Sequence, residues 1–458
     1  AEPSPDREFP SFDRLRDRAR EGMERFQVPG VAVGLLVDGH AHAAGFGVTS
    51  VENPLPIDAT TLFQIGSITK TFTATAVMRL VEAGKLDLDV PIREYLSDLK
   101  LADDDATRRV TLRHALTHTG GWVGDFFEDC GPGDDALEKM VAKMAGLEQL
   151  TPLGEVWSYN NVAFCLAGRA IEVATGLTFQ RAIQELLLDP LGMTRTFFFP
   201  EQAITYRCSV GHVVLDEGPR VNRPWTLSRS THPFAGLISC AADLLTWARF
   251  HLGDGTTEDG TRLLKPESLA QMQAPTVPAG SLADAVGITW QVTDVGGART
   301  VGHGGVWQSQ MSAFRMVPDR AGAVVVLTNS HLGAQLHGEL ASWAYQEYFG
   351  ITPSPVVHRM LSESELAGYA GTYRAALDDV SLEIRDGQLV LGVTRRADIV
   401  GSRPRQPIPP PVRLAFVGED RVVGLDVPSK GARGEFLRHA NGSLAWFRWG
   451  GRIHAPAG

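Results

Sequence analysis

The spacing of apolar residues predicts regular structure at both ends of the first 350 residues. Residues 11–27 (SFDRLRDRAREGMERFQ) scatter apolar positions among many charges, which predicts an amphipathic surface helix. The runs GVAVGLLVD and HAHAAGFGV meet at Asp38-Gly39, a turn dipeptide typical of a β-hairpin. Residues 67–83 are strongly apolar and predict a buried helix. Strand-like runs and then a helix return later, at 288–292, 298–303, 311–318, 323–329 and 333–349.

The order of these segments predicts the domain organisation. Residues 104–280 are mostly helical in pattern, which suits an antiparallel sheet built from both ends of one domain, flanked by helices and carrying a helical insertion. Residues 351–362 contain two prolines and little periodicity, as a linker does. Residues 363–458 alternate short apolar runs with turns, which predicts a small antiparallel β-barrel. The sequence therefore predicts an α+β protein with domains at 1–350 and 363–458.

Composition and charge narrow the class of partner. With 43% hydrophobic and 21% charged residues, the chain is typical of an ordinary globular protein. The formal net charge of −10 disfavours nucleic acid and anionic membranes. No apolar run approaches the roughly 18 residues of a membrane span. We expect a small-molecule or peptide substrate as partner, and the sequence leaves the oligomeric state open.

Cysteine and histidine usage indicates neither disulfides nor a metal. His40 and His42 fall on one face of a predicted strand, which fits a surface hairpin better than a metal site. We therefore expect no metal and no other cofactor. The opening AEPSPDREFP fits removal of either an initiator methionine or a signal peptide, and the cysteine pattern favours a cytoplasmic location. Four cysteines are too few and scattered for a disulfide framework: Cys130, Cys165, Cys208 and Cys240.

Ser67-Ile68-Thr69-Lys70 is the first candidate for chemistry. One helical turn separates the serine from the lysine, so both side chains share one face of the predicted helix. The helix N-terminus disfavours a protonated lysine and favours an oxyanion beside the serine, as acyl transfer requires. The alternative is a capping serine with a solvated lysine. A second match, Ser97-Asp98-Leu99-Lys100, runs into a polar loop, and we interpret it as chance.

Two further motifs follow in order, Tyr159-Asn160-Asn161 and His303-Gly304-Gly305. Taken alone, the tyrosine is equally well a buried residue in a polar turn. The His-x-Gly pattern is common in this chain, but only His303 lies between two strand-like runs. The other copies fall at helix ends or loops and begin at His118, His251 and His331.

Together, SITK, YNN and HGG make the chain resemble the serine β-lactamase and penicillin-binding-protein superfamily. The resemblance is strongest to its branch of class C β-lactamases, esterases and D-stereospecific peptidases, and covers about residues 10–350. FQIGSITKTFTA, LRHALTHTGG, WSYNNVAFCLAGRAIE and DPLGMTRTFF support it. The tail from ELAGYAGTYR resembles the lipocalin-like domain of some members. The resemblance implies a β-lactamase/transpeptidase-like sheet flanked by helices with a helical subdomain, followed by the barrel.

The resemblance also implies roles for the motif residues. Ser67 would be the nucleophile, and Lys70, neutral or sharing a proton, would ease loss of the serine proton. Tyr159 would be the general base and acid, in a positive field that favours the tyrosinate. Asn161 would hold the lysine and contact a substrate carbonyl. His303 stands where class C β-lactamases have lysine and would donate a hydrogen bond to the tyrosine.

Other residues are expected to bind substrate. The oxyanion hole implied by the resemblance is the backbone N–H of Ser67 and of Val306, and Gly304 and Gly305 would let substrate lie along the strand edge. Trp307 and Trp157 suggest an aromatic site, although either is equally well a core residue. Arg452 follows the Gly450-Gly451 turn and is expected to reach the Ser67 site and pair with a substrate carboxylate. The alternative is a solvated charge at the barrel edge.

These expectations lead to a serine hydrolase acting through an acyl-enzyme on esters or on amides of D-amino-acid-containing peptides. One alternative is a penicillin-binding-protein-type thioesterase that cyclises nonribosomal peptides, a class that pairs this domain with a lipocalin-like tail. A second is an inactive ligand-binding protein, which the intact motif residues disfavour. Class C β-lactamases carry a lysine and a hydroxyl side chain at the positions of His303 and Val306. This chain has neither group there, which disfavours an efficient β-lactamase.

Overall fold

The computed structural model describes residues 12–396 and 408–457. The opening segment AEPSPDREFP, Ser11 and Gly458 lie outside the described residues. Within them, the sequence forms thirteen α-helices. These are α1 (Phe12–Phe26), α2 (Thr69–Glu82), α3 (Asp104–Arg109), α4 (Leu112–Leu116), α5 (Ala136–Lys143), α6 (Ala163–Thr175), α7 (Phe179–Ile183), α8 (Pro200–Ala203), α9 (His232–Ala235), α10 (Ala241–Leu252), α11 (Pro266–Gln273), α12 (Gly333–Phe349) and α13 (Glu363–Ala367).

The strands form one open sheet, one closed barrel and two small ribbons. The first twelve are β1 (Gly30–Val37), β2 (His40–Gly47), β3 (Phe63–Gln64), β4 (His212–Leu215), β5 (Gly218–Val221), β6 (Ile238–Ser239), β7 (Val277–Pro278), β8 (Ala285–Val286), β9 (Gln291–Val295), β10 (Ala298–Trp307), β11 (Gln310–Val317) and β12 (Gly322–Thr328). The last eight are β13 (Gly371–Arg374), β14 (Asp378–Arg385), β15 (Gln388–Arg395), β16 (Val412–Gly418), β17 (Arg421–Gly424), β18 (Arg433–Arg438), β19 (Leu444–Trp449) and β20 (Arg452–Pro456).

The open sheet has the order β2-β1-β12-β11-β10-β9-β8-β7, so both ends of the domain build it, as predicted. Strand β1 is apolar at nearly every position because both faces of the sheet are covered. Ala32 and Leu36 belong to the core that also contains residues of α2, whereas Val31 and Val33 belong to the core beside α12. The predicted antiparallel sheet with flanking helices is confirmed.

The eight strands from β13 to β20 close a barrel, which confirms the predicted β-barrel. The barrel contacts the rest of the protein through its last strands. Tyr159 N–H donates to Gly451 O (2.8 Å), and Gly451 N–H donates to Ser281 Oγ (3.1 Å). Arg433 pairs with Asp284 (2.5 Å) a little further along the same interface. The barrel is therefore hydrogen-bonded directly to the segment that carries the Tyr-x-Asn motif.

Two sequence expectations differ in detail. The strand expected at 288–292 begins only at Gln291, because Thr289 adopts a positive φ of 65° that breaks the extended run. The helix expected from Ser67 begins with a 3₁₀ turn, Gly66–Ile68, before α2. Among the described residues, no helix combines the length and apolar character needed to cross a bilayer.

Candidate active site

Lys70 lies in the first turn of α2 and is fully buried. Its Nζ lies 2.7 Å from Asn161 Oδ1, 3.0 Å from Phe234 O and 2.9 Å from Ser67 Oγ. Burial lowers the pKa of Lys70 well below its usual value, and the Arg452 charge lowers it further. A neutral amine has two hydrogens, which the two carbonyl-type oxygens accept. In that neutral form the lone pair would be left for the Ser67 hydroxyl, as a base requires.

The orientation of the Asn161 amide is fixed from its other end. Its Nδ2 donates a hydrogen bond to Asp125 Oδ1 (2.7 Å), because an ionised carboxylate can only accept hydrogen bonds. The amide oxygen therefore faces Lys70. The expectation that Asn161 holds the lysine agrees with this geometry.

Tyr159 is buried between Lys70 and His118. Its hydroxyl shares a hydrogen bond with Ser67, its ring stacks on His118 with centroids 4.4 Å apart, and Lys70 Nζ lies 4.9 Å from the ring centroid. Burial raises the pKa of Tyr159, and the hydrogen bond to Ser67 and the Arg452 charge offset this only in part. The resting site therefore favours a neutral phenol over the tyrosinate expected from the sequence.

His303 lies on β10 with its ring centroid 6.0 Å from that of Tyr159. Burial is the main cause that lowers the pKa of His303 to about 3, so the imidazole is neutral. Its Nδ1 is 2.6 Å from Gly304 O, which can only accept, so Nδ1 carries the proton. Nε2 is then an acceptor, and it has no hydrogen-bond partner among the described residues. The expected donation from His303 to Tyr159 is wrong for this tautomer.

Two glycines bring the proposed oxyanion-hole backbone together. A Cβ on Gly305 would lie 1.9 Å from Ile65 O and 3.2 Å from Ser67 N. A Cβ on Gly66, whose φ is +54°, would lie 2.6 Å from Val306 N. Any side chain at either position would therefore separate the two segments. The N–H groups of Ser67 and Val306 lie at this close approach, as an oxyanion hole requires.

Strand β10 offers an open edge at the same place. It pairs with β9 only over residues 298–302, so residues 303–307 have no β9 partner on that side. Gly304 has open space where a Cβ would stand, with one backbone oxygen at 3.7 Å. An extended substrate can add to such an edge by main-chain hydrogen bonds.

A cavity of about 450 Å³ opens at Ser67. Leu377 and Arg452 of the barrel line it together with residues of the sheet domain. Trp307 lines it as well, with its indole N–H donating to Thr226 O (2.9 Å). Trp157 does not line the cavity. It is buried beside Tyr159 and Ala279, so it is a core residue, the alternative given for it above. The other lining residues include Ser67, Tyr159, Asn161, His303, Gly304, Gly305, Val306, Asp125, Phe127, Ser312 and Arg315.

Arg452 reaches this cavity, as expected, but its fork is already occupied. Nε and Nη2 donate to the two oxygens of Asp125 (2.9 and 3.0 Å), and Nη1 donates to Gly450 O (2.8 Å). The expected pairing with a substrate carboxylate stays a prediction, and in this arrangement the fork is directed at Asp125. Asp125 was missed from the sequence, although a lone acid within the otherwise uncharged run Trp122-Val123-Gly124-Asp125-Phe126-Phe127 was a signal that could have found it.

Among residues 12–396 and 408–457, no group of three His, Cys, Asp or Glu side chains is placed to hold a metal ion. Ser97 is exposed in a turn, and its hydroxyl contacts Asp98 (3.4 Å) rather than a lysine. Of the two Ser-x-x-Lys matches, only Ser67 has its lysine within hydrogen-bond distance.

This sheet domain, with its three motifs facing one cavity, has the architecture of the serine β-lactamase and penicillin-binding-protein superfamily. The family model described as Beta-lactamase matches residues 15–345, and the chain belongs to that family. "Penicillin-binding protein 4" of Amycolatopsis lactamdurans is 35% identical over 380 residues, which cover 79% of this chain and 95% of the relative.

Two solved structures extend the comparison. "Crystal structure of SurE with D-Leu" matches 97% of this chain and 99% of SurE, at 26% identity and a TM-score of 0.75. The class C β-lactamase from Rhodobacter sphaeroides covers 69% of this chain and 93% of its own, at 21% identity and a TM-score of 0.58, and shows the fold alone. The match to SurE therefore spans both the sheet domain and the barrel.

Proposed function

We propose that this protein is a serine hydrolase that forms an acyl-enzyme at Ser67 with esters or amides of D-amino-acid-containing peptides. The observation that carries the proposal is the set of contacts of Lys70, whose Nζ lies 2.7 Å from Asn161 Oδ1, 3.0 Å from Phe234 O and 2.9 Å from Ser67 Oγ. The preference for a D-residue rests on similarity, because SurE was crystallised with D-Leu.

The proton path follows from the resting protonation states. Lys70 accepts the Ser67 proton while Ser67 Oγ attacks the substrate carbonyl. The negative oxygen that forms is held by the N–H groups of Ser67 and Val306. Tyr159 then gives its proton to the leaving group and recovers one from Lys70. In the second half, water attacks the acyl ester, loses its proton along the same path, and Ser67 leaves as the alcohol.

A second candidate is transfer of the acyl group to an amine of the same peptide, which would make the protein a peptide cyclase. The observation that favours it is the barrel wall, since Leu377 and Arg452 cover one side of the cavity. Excluding water lengthens the life of an acyl-enzyme and lets an amine compete.

A peptidyl thioester with a D-residue at the acyl position and a free N-terminal amine tests both candidates. Mass spectrometry distinguishes a linear acid from a cyclic peptide because their masses differ by one water. The N-acetylated peptide is the matched control, since it can be hydrolysed but cannot cyclise through that amine. The L-epimer tests the stereochemical preference, and Ser67→Ala should give neither product. Equal turnover by Ser67→Ala would overturn the proposal.

A further inference from the structure

We propose that the barrel domain sets the charge state of the catalytic lysine, with Arg452 as a positioning residue that acts through Asp125. This inference rests on the proposed role of Lys70 as the base at Ser67. Arg452 Cζ lies 4.8 Å from the centroid of the Tyr159 ring, while the hydrogen bonds of its guanidinium go to Asp125 and Gly450 O.

The first step is the ion pair between the domains. Arg452 holds Asp125 with two parallel hydrogen bonds of 2.9 and 3.0 Å, the strongest geometry available to a guanidinium and a carboxylate. The Asp125 side chain is only 6% exposed. Burial alone would raise the pKa of Asp125, but the charge and hydrogen bonds of Arg452, with the Asn161 bond, lower it. Asp125 is therefore an anion that depends on the barrel for its counter-charge.

The second step links that anion to the lysine. Asp125 Oδ1 accepts from Asn161 Nδ2 (2.7 Å), and Asn161 Oδ1 accepts from Lys70 Nζ (2.7 Å). A shift of the carboxylate would turn the amide and move the oxygen that orients the amine. The same carboxylate acts on Lys70 through its charge, since it raises the pKa of the lysine while Arg452 lowers it.

The third step is the charge balance around Lys70. Burial lowers the pKa values of both neighbouring histidines and raises those of the tyrosine and the thiol, so all four are neutral near pH 7. Asp125 and Arg452 are then the two charges near the amine in the described structure. Removing either one leaves the other unopposed beside Lys70. The four neutral groups are His118, His303, Tyr159 and Cys165.

The chain offers a matched control at the same interface. Arg433 also joins the barrel to the sheet domain, through Asp284 (2.5 Å) and Ser281 O (3.1 Å). Neither Arg433 nor Asp284 is among the groups that shift the pKa of Lys70. A loss of domain contact alone should therefore appear in both arginine variants, whereas an electrostatic effect should appear only at Arg452.

The experiment measures kcat/KM for a small neutral chromogenic ester across pH in the full-length protein. The acid limb reports the ionisation of the base in the free enzyme. Arg452→Met leaves Asp125 unopposed, favours protonated Lys70, and should move this limb to higher pH by about one unit. Asp125→Asn leaves Arg452 unopposed and should move it to lower pH. The double variant should return close to the parent limb, and Arg433→Met should not move it.

Shifts of the same sign, or lower rates with an unmoved limb, would overturn the inference. Arg452→Lys keeps the charge but loses the planar fork, so its limb should stay near the parent position even if the rate falls. That variant separates charge from packing should Asp125→Asn not fold. Ser67→Ala is run in the same assay: if it stays active, the proposed function fails. If Ser67→Ala is inactive and the limbs do not move, only the inference about Arg452 fails.

Discussion

The two walls of the cavity differ in how their polar groups are satisfied. On the sheet wall, Ser312 Oγ and His303 Nε2 are buried and have no hydrogen-bond partner among the described residues. Arg315, on the same wall, donates to Phe314 O (3.0 Å), and no carboxylate of the described chain pairs with it. On the barrel wall, Arg452 is paired with Asp125 and Gly450 O.

Burying a polar group without a partner costs roughly 1–3 kcal/mol, and more for a charge. Groups left in that state around a cavity are the ones that a ligand can satisfy. From this comparison we expect Arg315 to bind substrate, whereas the role proposed for Arg452 is to act on the enzyme's own lysine. Arg315 packs closely against Gly302 of β10, where a Cβ would lie 2.2 Å from Phe314 O and 2.9 Å from Arg315 Cδ.

The largest expected effect comes from removing the nucleophile between the two walls. Ser67→Ala should lower kcat/KM for an activated ester by roughly 10⁴-fold or more, since the attacking oxygen is lost. Covalent labelling by a fluorophosphonate, followed by intact-protein mass spectrometry, should disappear as well. Ser97→Ala is the control, because this exposed serine has no lysine partner. Labelling that survives in Ser67→Ala would place the chemistry elsewhere and remove the basis of the comparison.

Tyr159→Phe tests whether the proton path needs the phenol. The ring and its stacking on His118 are kept, and only the exchangeable proton is lost. We expect kcat to fall by roughly 10²-fold with little change in KM, measured in steady state with the activated ester. A near-normal kcat would mean that Lys70 alone moves the proton.

Arg315→Met should sharpen the contrast between the two arginines. A charged hydrogen bond to substrate contributes about 1.5–3 kcal/mol, so KM for a carboxylate-bearing ester should rise roughly 10- to 100-fold. KM for a matched neutral ester should stay near the parent value, as should the acid limb of the pH profile. The same rise in Arg452→Met but not in Arg315→Met would reverse the assignment of the two walls.

Local pattern was sufficient to predict the fold and the positions of the three motifs. The alternation in the hairpin, the helix after Ser67 and the regular strands of the tail are properties of neighbouring residues, and the structure confirms the sheet and barrel. The spacing of Ser67 and Lys70 is likewise local, and their 2.9 Å contact follows from one helical turn.

The ion pair of Asp125 could not be predicted, because 327 residues separate it from Arg452. Because this partner was not known from the sequence, we predicted that the Arg452 guanidinium would pair with a substrate carboxylate. The tautomer of His303 was missed for a related reason, since it depends on the position of Gly304 O in the folded strand. Protonation of Tyr159 depends on burial by distant segments, which composition does not report. The catalytic roles themselves stay predictions.

The hydrogen bond from Tyr159 N–H to Gly451 O has a consequence for biosynthesis. A ribosome makes the sheet domain, through Phe349, about a hundred residues before it makes Gly451 and Arg452. During that interval Ser67, Lys70 and Tyr159 exist, but the tyrosine lacks its backbone acceptor and Asp125 lacks its counter-charge. The complete set of contacts around Tyr159 and Asp125 therefore forms only when β20 joins the barrel.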